Sequence, residues 1–320
     1  MEQPAGVQPP RSILVSVDCN EENVWPTLGK AAQLGRGFGA GLQLFLCDAE
    51  RAYALKHEYD PRGVERAREL SIEESLRYLD SLRASMGADD LNITTAASCE
   101  SPLYEGVVRE VLQSRPDLVI RCAGGGNGAT RRREFISVSP TATDWALVRT
   151  CPVPVMLARG RPWKPHPVIG AAVDVSADEP AELTICILQM ADLLGKALNG
   201  RVEVLYSDES ADSRDTRSVQ DRVALLRERI RQAGVQPDEV HVLTGDAAST
   251  LPQFAAGRDY DLLMLGALSH RRQLADLVGT LTIRLIESLD CDFLLVKPAT
   301  YVCPVQPPAP QPAGPPGGSG

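Results

Sequence analysis

The same order of candidate strands and helices occurs twice along this chain of 320 residues. The first copy opens with the apolar run SILVSVD, which ends at Asp18, and the second opens with VIGAAVD, which ends at Asp174. In each copy a helical segment and another strand candidate follow, GLQLFLCDA at 41–49 and RVEVLYSD at 201–208. An internal repeat constrains the fold more than any single motif. We therefore predict two similar domains, which agrees with a length about twice that of a typical domain.

The later elements of the two copies also match in order. Amphipathic helices are predicted at 64–87 and 218–234, and Gly87 and Gly234 are placed to end them. The remaining matched pairs are the strand candidates LNITTAA and EVHVLTGD, helices beginning near Leu103 and Leu251, the strands RPDLVIRCA and DYDLLMLGA, and the final strands CPVPVMLAR at 151–159 and CDFLLVKP at 291–298.

Strands that alternate with helices predict parallel sheets whose crossover helices cover both faces, which explains why the strands are apolar throughout. Each copy is predicted to be a five-stranded, doubly wound α/β domain. The predicted boundaries are 11–159 for the first domain, 160–167 for a linker containing proline and basic residues, and 168–303 for the second domain. The Pro-rich and Gly-rich ends, 1–10 and 304–320, are predicted to be disordered tails.

Composition narrows the classes of function. A net charge of −9 disfavours nucleic-acid and anionic-membrane partners, and the absence of a long apolar run or a secretion signal predicts a cytoplasmic protein. The eight cysteines include no C-x-x-C pair, so they are interpreted as buried small hydrophobic residues and not as a disulfide framework. The four histidines form no pattern typical of a metal site, and none is predicted.

The candidate binding site lies after the strands of the second copy, because ligands of open α/β sheets bind beyond the carboxyl ends of the strands. Asp174 follows the first strand, where it is suited to a ribose hydroxyl or a metal ion, or alternatively to capping the next helix. Gly266 and Ser269 follow the fourth strand, and Gly279 and Thr280 begin the last helix. Small residues beside a helix N-terminus allow a phosphate to approach backbone N–H groups.

Other motifs do not support catalysis. The glycines from Gly35 to Gly41 lie between a helix and a strand, which is the reverse of the order in a dinucleotide-binding loop, so they are interpreted as a connecting turn. No spaced set of nucleophile, base and acid can be assembled, so no catalytic residue is predicted. In the first copy, Thr141 or Thr143 is expected to cap the helix that begins near Asp144. Trp145 is expected to pack between the halves.

Two patterns resemble a known family. The spacing Gly266-x2-Ser269-x9-Gly279-Thr280 looks like the G-2x-G-9x-G-(S/T) nucleotide motif of the universal stress protein family. Residues 141–155, TATDWALVRTCPVPV, are similar to a signature of its tandem, E-type members. The resemblance implies two adenine nucleotide alpha hydrolase-like domains that pack through their final strands as an intramolecular pseudo-dimer, and a homodimer is a further option.

The resemblance also implies a function, a non-catalytic stress-response protein, and a ligand, because some family members bind ATP or AMP with Mg while others bind neither. An adenine contact would fall near Tyr206 or Ser207. Ser269 replaces the second glycine of the motif, and the loop at 123–133 in the first copy lacks the motif spacing. The alternatives are a weak ATPase and a carrier of a small ligand or lipid.

Overall fold

The computed structural model describes residues 6–17, 21–58, 60–123, 140–176, 179–208, 217–267 and 280–307. Five strands come from the first half of these residues and five from the second. They are β1 (Ser12–Ser16), β2 (Gly41–Cys47), β3 (Ile93–Ser98), β4 (Leu118–Cys122), β5 (Val155–Ala158), β6 (Val168–Ala172), β7 (Arg201–Asp208), β8 (Glu239–Thr244), β9 (Leu262–Gly266) and β10 (Asp292–Val296).

The described helices connect these strands in both halves. They are α1 (Glu21–Phe38), α2 (Ala49–Leu55), α3 (Pro61–Ser85), α4 (Leu103–Ser114), α5 (Ala142–Thr150), α6 (Ala181–Leu198), α7 (Val219–Ala233), α8 (Ala247–Ala256) and α9 (Thr280–Ser288). The order of strands and helices confirms the repeat, and α2 is an additional helix in the first half that the sequence pattern did not predict.

The strands of both halves join in one sheet with the order β3-β2-β1-β4-β5-β10-β9-β6-β7-β8. All pairs within a half are parallel, whereas β5 and β10 pair antiparallel in the centre. The two predicted doubly wound, five-stranded sheets are therefore present, and their final strands join them into a continuous ten-stranded sheet across the described residues. The carboxyl ends of the strands in the two halves point to opposite edges of this sheet.

Helices cover the sheet on both sides and enclose two hydrophobic clusters. Alternate residues of one strand enter different clusters: Ile13 and Val15 lie in the first and Leu14 in the second. The first cluster includes residues of α1, α3, α6 and α7, and the second includes residues of α4, α5, α8 and α9. Because each cluster draws on both halves of the chain, separating the halves would expose both cores.

Local sequence signals account for both boundaries of α7. Ser218 and Asp221 form a reciprocal capping box at the start of α7, and Gly234 ends this helix with φ +69°. The predicted glycine turn after α1 is wrong in part, because Gly35 and Gly37 lie inside the helix. A Cβ atom at Gly37 would lie 2.5 Å from the carbonyl oxygen of Ala197 in α6, so this glycine permits close helix packing.

The halves are related by an approximate two-fold axis that passes through the central strand pair. Val155 and Leu295 each lie four residues after a matching cysteine, Cys151 or Cys291, and these two residues pair with each other across the β5–β10 ladder. Gly37 and Ala197 likewise precede β2 and β7 by four residues and contact each other between α1 and α6. Matching positions of the repeat therefore meet at the junction between the halves.

Each half also supplies a cation to the last helix of the other half. Lys297, which follows β10, donates from its ammonium to the carbonyl oxygen of Cys151 at the end of α5. Arg159, which follows β5, donates from its guanidinium to the carbonyl oxygen of Ile286 in the last turn of α9. Cations stabilise the C-termini of helices because the unpaired carbonyls carry partial negative charge.

A buried polar cluster interrupts this symmetry at one side of the junction. Lys30 of α1 and Asp292 of β10 are 1% and 2% exposed, and the ammonium nitrogen lies 2.8 Å from Oδ1 and 2.7 Å from Oδ2 of the carboxylate. The backbone N–H of Arg159 and the indole N–H of Trp163 also donate to this carboxylate, each at 2.7 Å. Lys30 of the first half and Asp292 of the second half thus hold the segment between the halves in place.

The described parts of the predicted tails contact the folded chain. The backbone N–H of Val7 donates to Gln189 of α6 at 3.1 Å, and Pro10 is buried. Val305 packs against the second hydrophobic cluster. Every helix within the described ranges is too short or too polar to span a membrane.

Candidate functional site

Asp174 lies in the loop that leaves β6 and is partly exposed at the carboxyl edge of the second half. Its carboxylate accepts hydrogen bonds from the backbone N–H and the hydroxyl of Ser176, both at 2.8 Å. The alternative role in capping the next helix is wrong, because Pro180 occupies the N-cap of α6. A carboxylate has about four acceptor positions, so Asp174 retains capacity for a further donor.

Gly266 ends β9 beside this loop. A Cβ atom there would lie 3.2 Å from the Cδ2 atom of Leu183 and 3.9 Å from the Oε1 atom of Glu179, so packing against the segment after β6 already favours glycine. The hydroxyl of Thr282 in the first turn of α9 donates to the carbonyl oxygen of Gly266 at 3.3 Å. The structure therefore brings Gly266 and the N-terminal turn of α9 together, next to the loop that carries Asp174.

Two further predicted residues, Ser269 and Gly279, lie outside the described residues. Thr280 is the first residue of α9, and only its backbone is described. The proposed phosphate contacts of these three residues stay predictions.

Ser207 belongs to β7 but its hydroxyl faces the neighbouring elements. It donates to the carbonyl oxygen of Gly245 at 2.9 Å and lies 2.6 Å from the hydroxyl oxygen of Thr250. The side chain is thus engaged with the loop after β8 and with α8. The prediction for this position concerned a backbone contact to adenine, and it stays a prediction.

Sequence reasoning missed an ion pair at the end of β7. Asp208 is 1% exposed, and its Oδ1 atom accepts from the Nε atom of Arg222 in α7 at 2.7 Å. The Oδ2 atom has no hydrogen-bond partner among the described residues. Arg217 donates to the carbonyl oxygen of Val175 at 2.9 Å and therefore brings positive charge to the loop after β6. The only signal in the sequence was an acidic residue at a strand end, which does not identify its partner.

In the first half, a buried ion pair occupies the corresponding edge of the sheet. Arg121 of β4 is 2% exposed and Asp144 is fully buried; their Nε and Oδ1 atoms are 2.9 Å apart. Asp144 also completes a capping box with Thr141 at the start of α5, which confirms Thr141 as the N-cap. The carboxylate of Asp144 therefore lies at the helix N-terminus, where an anion would be favoured. Trp145 follows it and packs against the second hydrophobic cluster, which contains residues of both halves.

One group of potential metal ligands occurs within the described part of the chain: Glu203, Glu239 and His241 on β7 and β8. Arg258 lies 3.1 Å from Glu203 and 3.6 Å from Glu239, and the hydroxyl of Tyr260 donates to Glu203 at 2.7 Å. Burial, followed by this contact with Glu203, raises the pKa of Tyr260 above its ordinary value. The group is a neutralised hydrogen-bond network, and its bound arginine disfavours a metal ion.

The sequence of the chain is similar to that of known proteins. Residues 169–297 match the model of the universal stress protein family. The chain is 24% identical to universal stress protein E of Escherichia coli (strain K12), over 92% of this chain and 96% of that protein. It is 20% identical to universal stress protein E of Photorhabdus laumondii, over 92% of this chain and 98% of that protein.

Solved structures agree with the architecture. A putative universal stress protein from Pseudomonas aeruginosa UCBPP-PA14 aligns with a TM-score of 0.66 at 21% identity, over 91% of this chain and 94% of that chain. A universal stress protein from Archaeoglobus fulgidus aligns with a TM-score of 0.63 at 14% identity, over 90% of this chain and 98% of that chain. At these identities the structural likeness establishes the fold.

Proposed function

Because the chain belongs to the universal stress protein family and carries the domain twice, we propose that it is a non-catalytic, cytoplasmic binding protein whose second half takes up ATP or AMP with Mg. A stress-response role follows from the family. The proposed ligand contacts are Asp174, the backbone at Ser207, Gly266, Ser269, Gly279 and Thr280.

The contact between Gly266 and the first turn of α9 carries this proposal. The exposed N–H groups of a helix start, together with the helix dipole, favour a phosphate at this place. Asp174 lies on the adjacent loop with acceptor positions suited to ribose hydroxyls. Asp208 ends β7, the strand next to β6. Its Oδ2 atom is buried without a hydrogen-bond partner among the described residues and could accept from an amino or hydroxyl group of the ligand. These contacts support a nucleotide whose phosphates lie at the helix start and whose ribose lies near Asp174.

The difference between the halves supports placing the ligand in the second one. In the first half, the carboxylate of Asp144, paired with Arg121, already occupies the start of the final helix, so a phosphate would have to displace it. The second half has Arg284 at the position that matches Asp144 when Cys151 and Cys291 are aligned. The family model also matches residues of the second half.

Isothermal titration of the full-length chain with Mg-ATP tests the proposal. We expect one ATP per chain, and we expect Gly279→Asp to abolish the binding heat because a carboxylate is placed before the N-terminus of α9. Ser139→Asp is the matched control, because Ser139 and Gly279 each lie twelve residues before the matching cysteine. This control should bind ATP as the wild type does.

Four results would contradict the proposal. Absence of binding heat in the wild type, or loss of binding in Ser139→Asp alone, would remove the site from the second half. Steady accumulation of ADP during the titration would favour the weak ATPase. Native mass spectrometry of the purified chain that reveals a retained apolar molecule and no nucleotide would favour the carrier.

A further inference from the structure

Two cysteines from opposite halves of the chain lie at the C-terminal end of α5. Cys303 follows β10, and its thiol donates to the carbonyl oxygen of Thr150 at 3.3 Å. The carbonyl oxygen of Thr150 and the Cα atom of Cys151 belong to the same peptide unit and are three covalent bonds apart. The sulfur of Cys303 therefore lies within about 6 Å of the Cα atom of Cys151. Both side chains contact the second hydrophobic cluster. The two cysteines are therefore neighbours at the end of α5, and closing a disulfide requires their Cα atoms to come within about 4.4–6.8 Å of each other.

The surroundings distinguish the two thiols. Cys151 is fully buried, and burial raises the pKa of its thiol to about 11. Cys303 is partly exposed, in a segment whose neighbour Val302 is 83% exposed, so a small molecule can reach its sulfur. The exposed thiol is therefore suited to react first with an oxidant, and the buried one to react second.

Lys297 places a cation beside the pair. Its ammonium donates to the carbonyl oxygen of Cys151, and it lies 4.8 Å from the ring centroid of Tyr301 in the same segment. Burial lowers the pKa of Lys297 to about 8, which leaves part of the amine neutral near neutral pH. The positive charge of Lys297 opposes the effect of burial on the pKa of Cys151, and it therefore favours the thiolate that must react.

We propose that Cys151 and Cys303 form a peroxide-reactive thiol pair that closes into a disulfide between the two halves of the chain. The thiolate of Cys303 attacks hydrogen peroxide, which breaks the O–O bond and gives a sulfenic acid and water. The thiolate of Cys151 then attacks the sulfur of that sulfenic acid, forms the S–S bond and displaces the hydroxyl group, which takes up the proton released by the Cys151 thiol and leaves as a second water. Two thiols and one peroxide thus give one disulfide and two waters, and a thiol reductant reverses the reaction.

The bond would act on the junction between the halves. The segment from Lys297 to Cys303 already contacts the end of α5 through the hydroxyl of Tyr301, which donates to the carbonyl oxygen of Arg149. A covalent link would hold this segment against the first half and restrict the unfolded chain, which stabilises the folded state.

The experiment treats the reduced, full-length chain with one equivalent of hydrogen peroxide. Remaining thiols are alkylated under denaturing conditions, and the peptides are mapped by mass spectrometry without reduction. We expect a cross-linked peptide that joins Cys151 to Cys303 and a higher Tm that returns to its starting value with dithiothreitol. In Cys151→Ser, we expect dimedone to trap Cys303 as a sulfenic acid.

Cys186→Ser is the matched control, because Cys186 is also partly exposed but contacts the other hydrophobic cluster through α6. It should form the same cross-link in the same yield. Recovery of Cys151 as an alkylated thiol beside an oxidised Cys303 would overturn the proposal. A disulfide that joins Cys303 to any other cysteine would overturn it as well.

Discussion

Replacement of Lys30 by methionine is expected to be among the most destabilising single changes at the junction between the halves. The substitution keeps the length of the side chain but leaves the carboxylate of Asp292 without its counter-ion in a place where it is 2% exposed. The N–H groups of Arg159 and Trp163 still donate to it, at 2.7 Å each. Breaking one side of a buried ion pair costs about 3–5 kcal/mol, and we expect a loss of this size at pH 7.

The loss should depend on pH in a definite direction. Burial raises the pKa of Asp292, and Lys30 is the strongest influence that lowers it. Removal of Lys30 therefore raises the folded-state pKa of Asp292 further above its unfolded value. Between these two values the folded state binds more protons than the unfolded state, so the stability of the variant increases as pH falls through that window. The difference from the wild type should be smaller at pH 5 than at pH 7.

Urea unfolding at pH 7 and pH 5 measures both effects. The matched control is Lys196→Met, because Lys196 pairs with Asp192 on the surface of α6 with 72% of its side chain exposed; an exposed pair of this kind contributes about 0.5 kcal/mol or less. Adding Asp292→Asn to Lys30→Met should cost less than the sum of the two single changes. A loss at pH 7 no larger than that of the control, or a loss that grows at pH 5, would refute the reasoning.

Three further changes test other contacts of the fold. Arg121→Met should lower the free energy of unfolding by about 3–5 kcal/mol, because Asp144 loses its buried partner; urea unfolding that gives a loss below about 1 kcal/mol would contradict this. Gly37→Ala should lower the Tm because its Cβ atom would meet α6, whereas Gly29→Ala in the same helix, where nothing lies within 4 Å, should raise it slightly. The free energy of unfolding of the wild type, relative to that of Lys297→Met, should rise by about 3 kcal/mol between pH 8 and 10.5, because Lys297 loses its proton near pH 8 in the folded chain. Denaturant unfolding across this range measures the difference, and a difference that does not change with pH would contradict the reasoning.

The repeat allowed most of the fold to be predicted because most strands are apolar runs, the edge strands β3 and β8 being the more polar ones. The boundaries of α7 followed from Ser218 and Gly234, whose capping chemistry is local. Gly37 was misassigned for the opposite reason. Its place inside α1 depends on the close approach of Ala197, which lies far away in the sequence, and a run of alternating glycines gives no local sign of that contact.

The sequence predicted which residues follow the strand ends, but it did not predict which charged residues pair with each other. Asp174 and Gly266 were located from the ends of β6 and β9. The pairs of Asp208 with Arg222, and of Arg121 with Asp144, join residues of different elements, and many charged residues in the chain could have been their partners. Pair identity is a tertiary property, which hydrophobic periodicity does not encode.

The approximate two-fold axis shows where the two copies have diverged, because matching residues should have matching surroundings. Lys30 and Met190 each lie eleven residues before the next strand, yet one is charged and the other apolar. The charged member pairs with Asp292, whose own counterpart in the first half is Pro152. A symmetric junction would need a lysine at residue 190 and a carboxylate at residue 152, where the chain has methionine and proline. The polar contact therefore belongs to one side of the axis, and it fixes Trp163 and the segment between the halves there. The starts of the last helices of the two halves have diverged in the same way. Asp144 places a carboxylate there in the first half, and Arg284 occupies the matching sequence position in the second half.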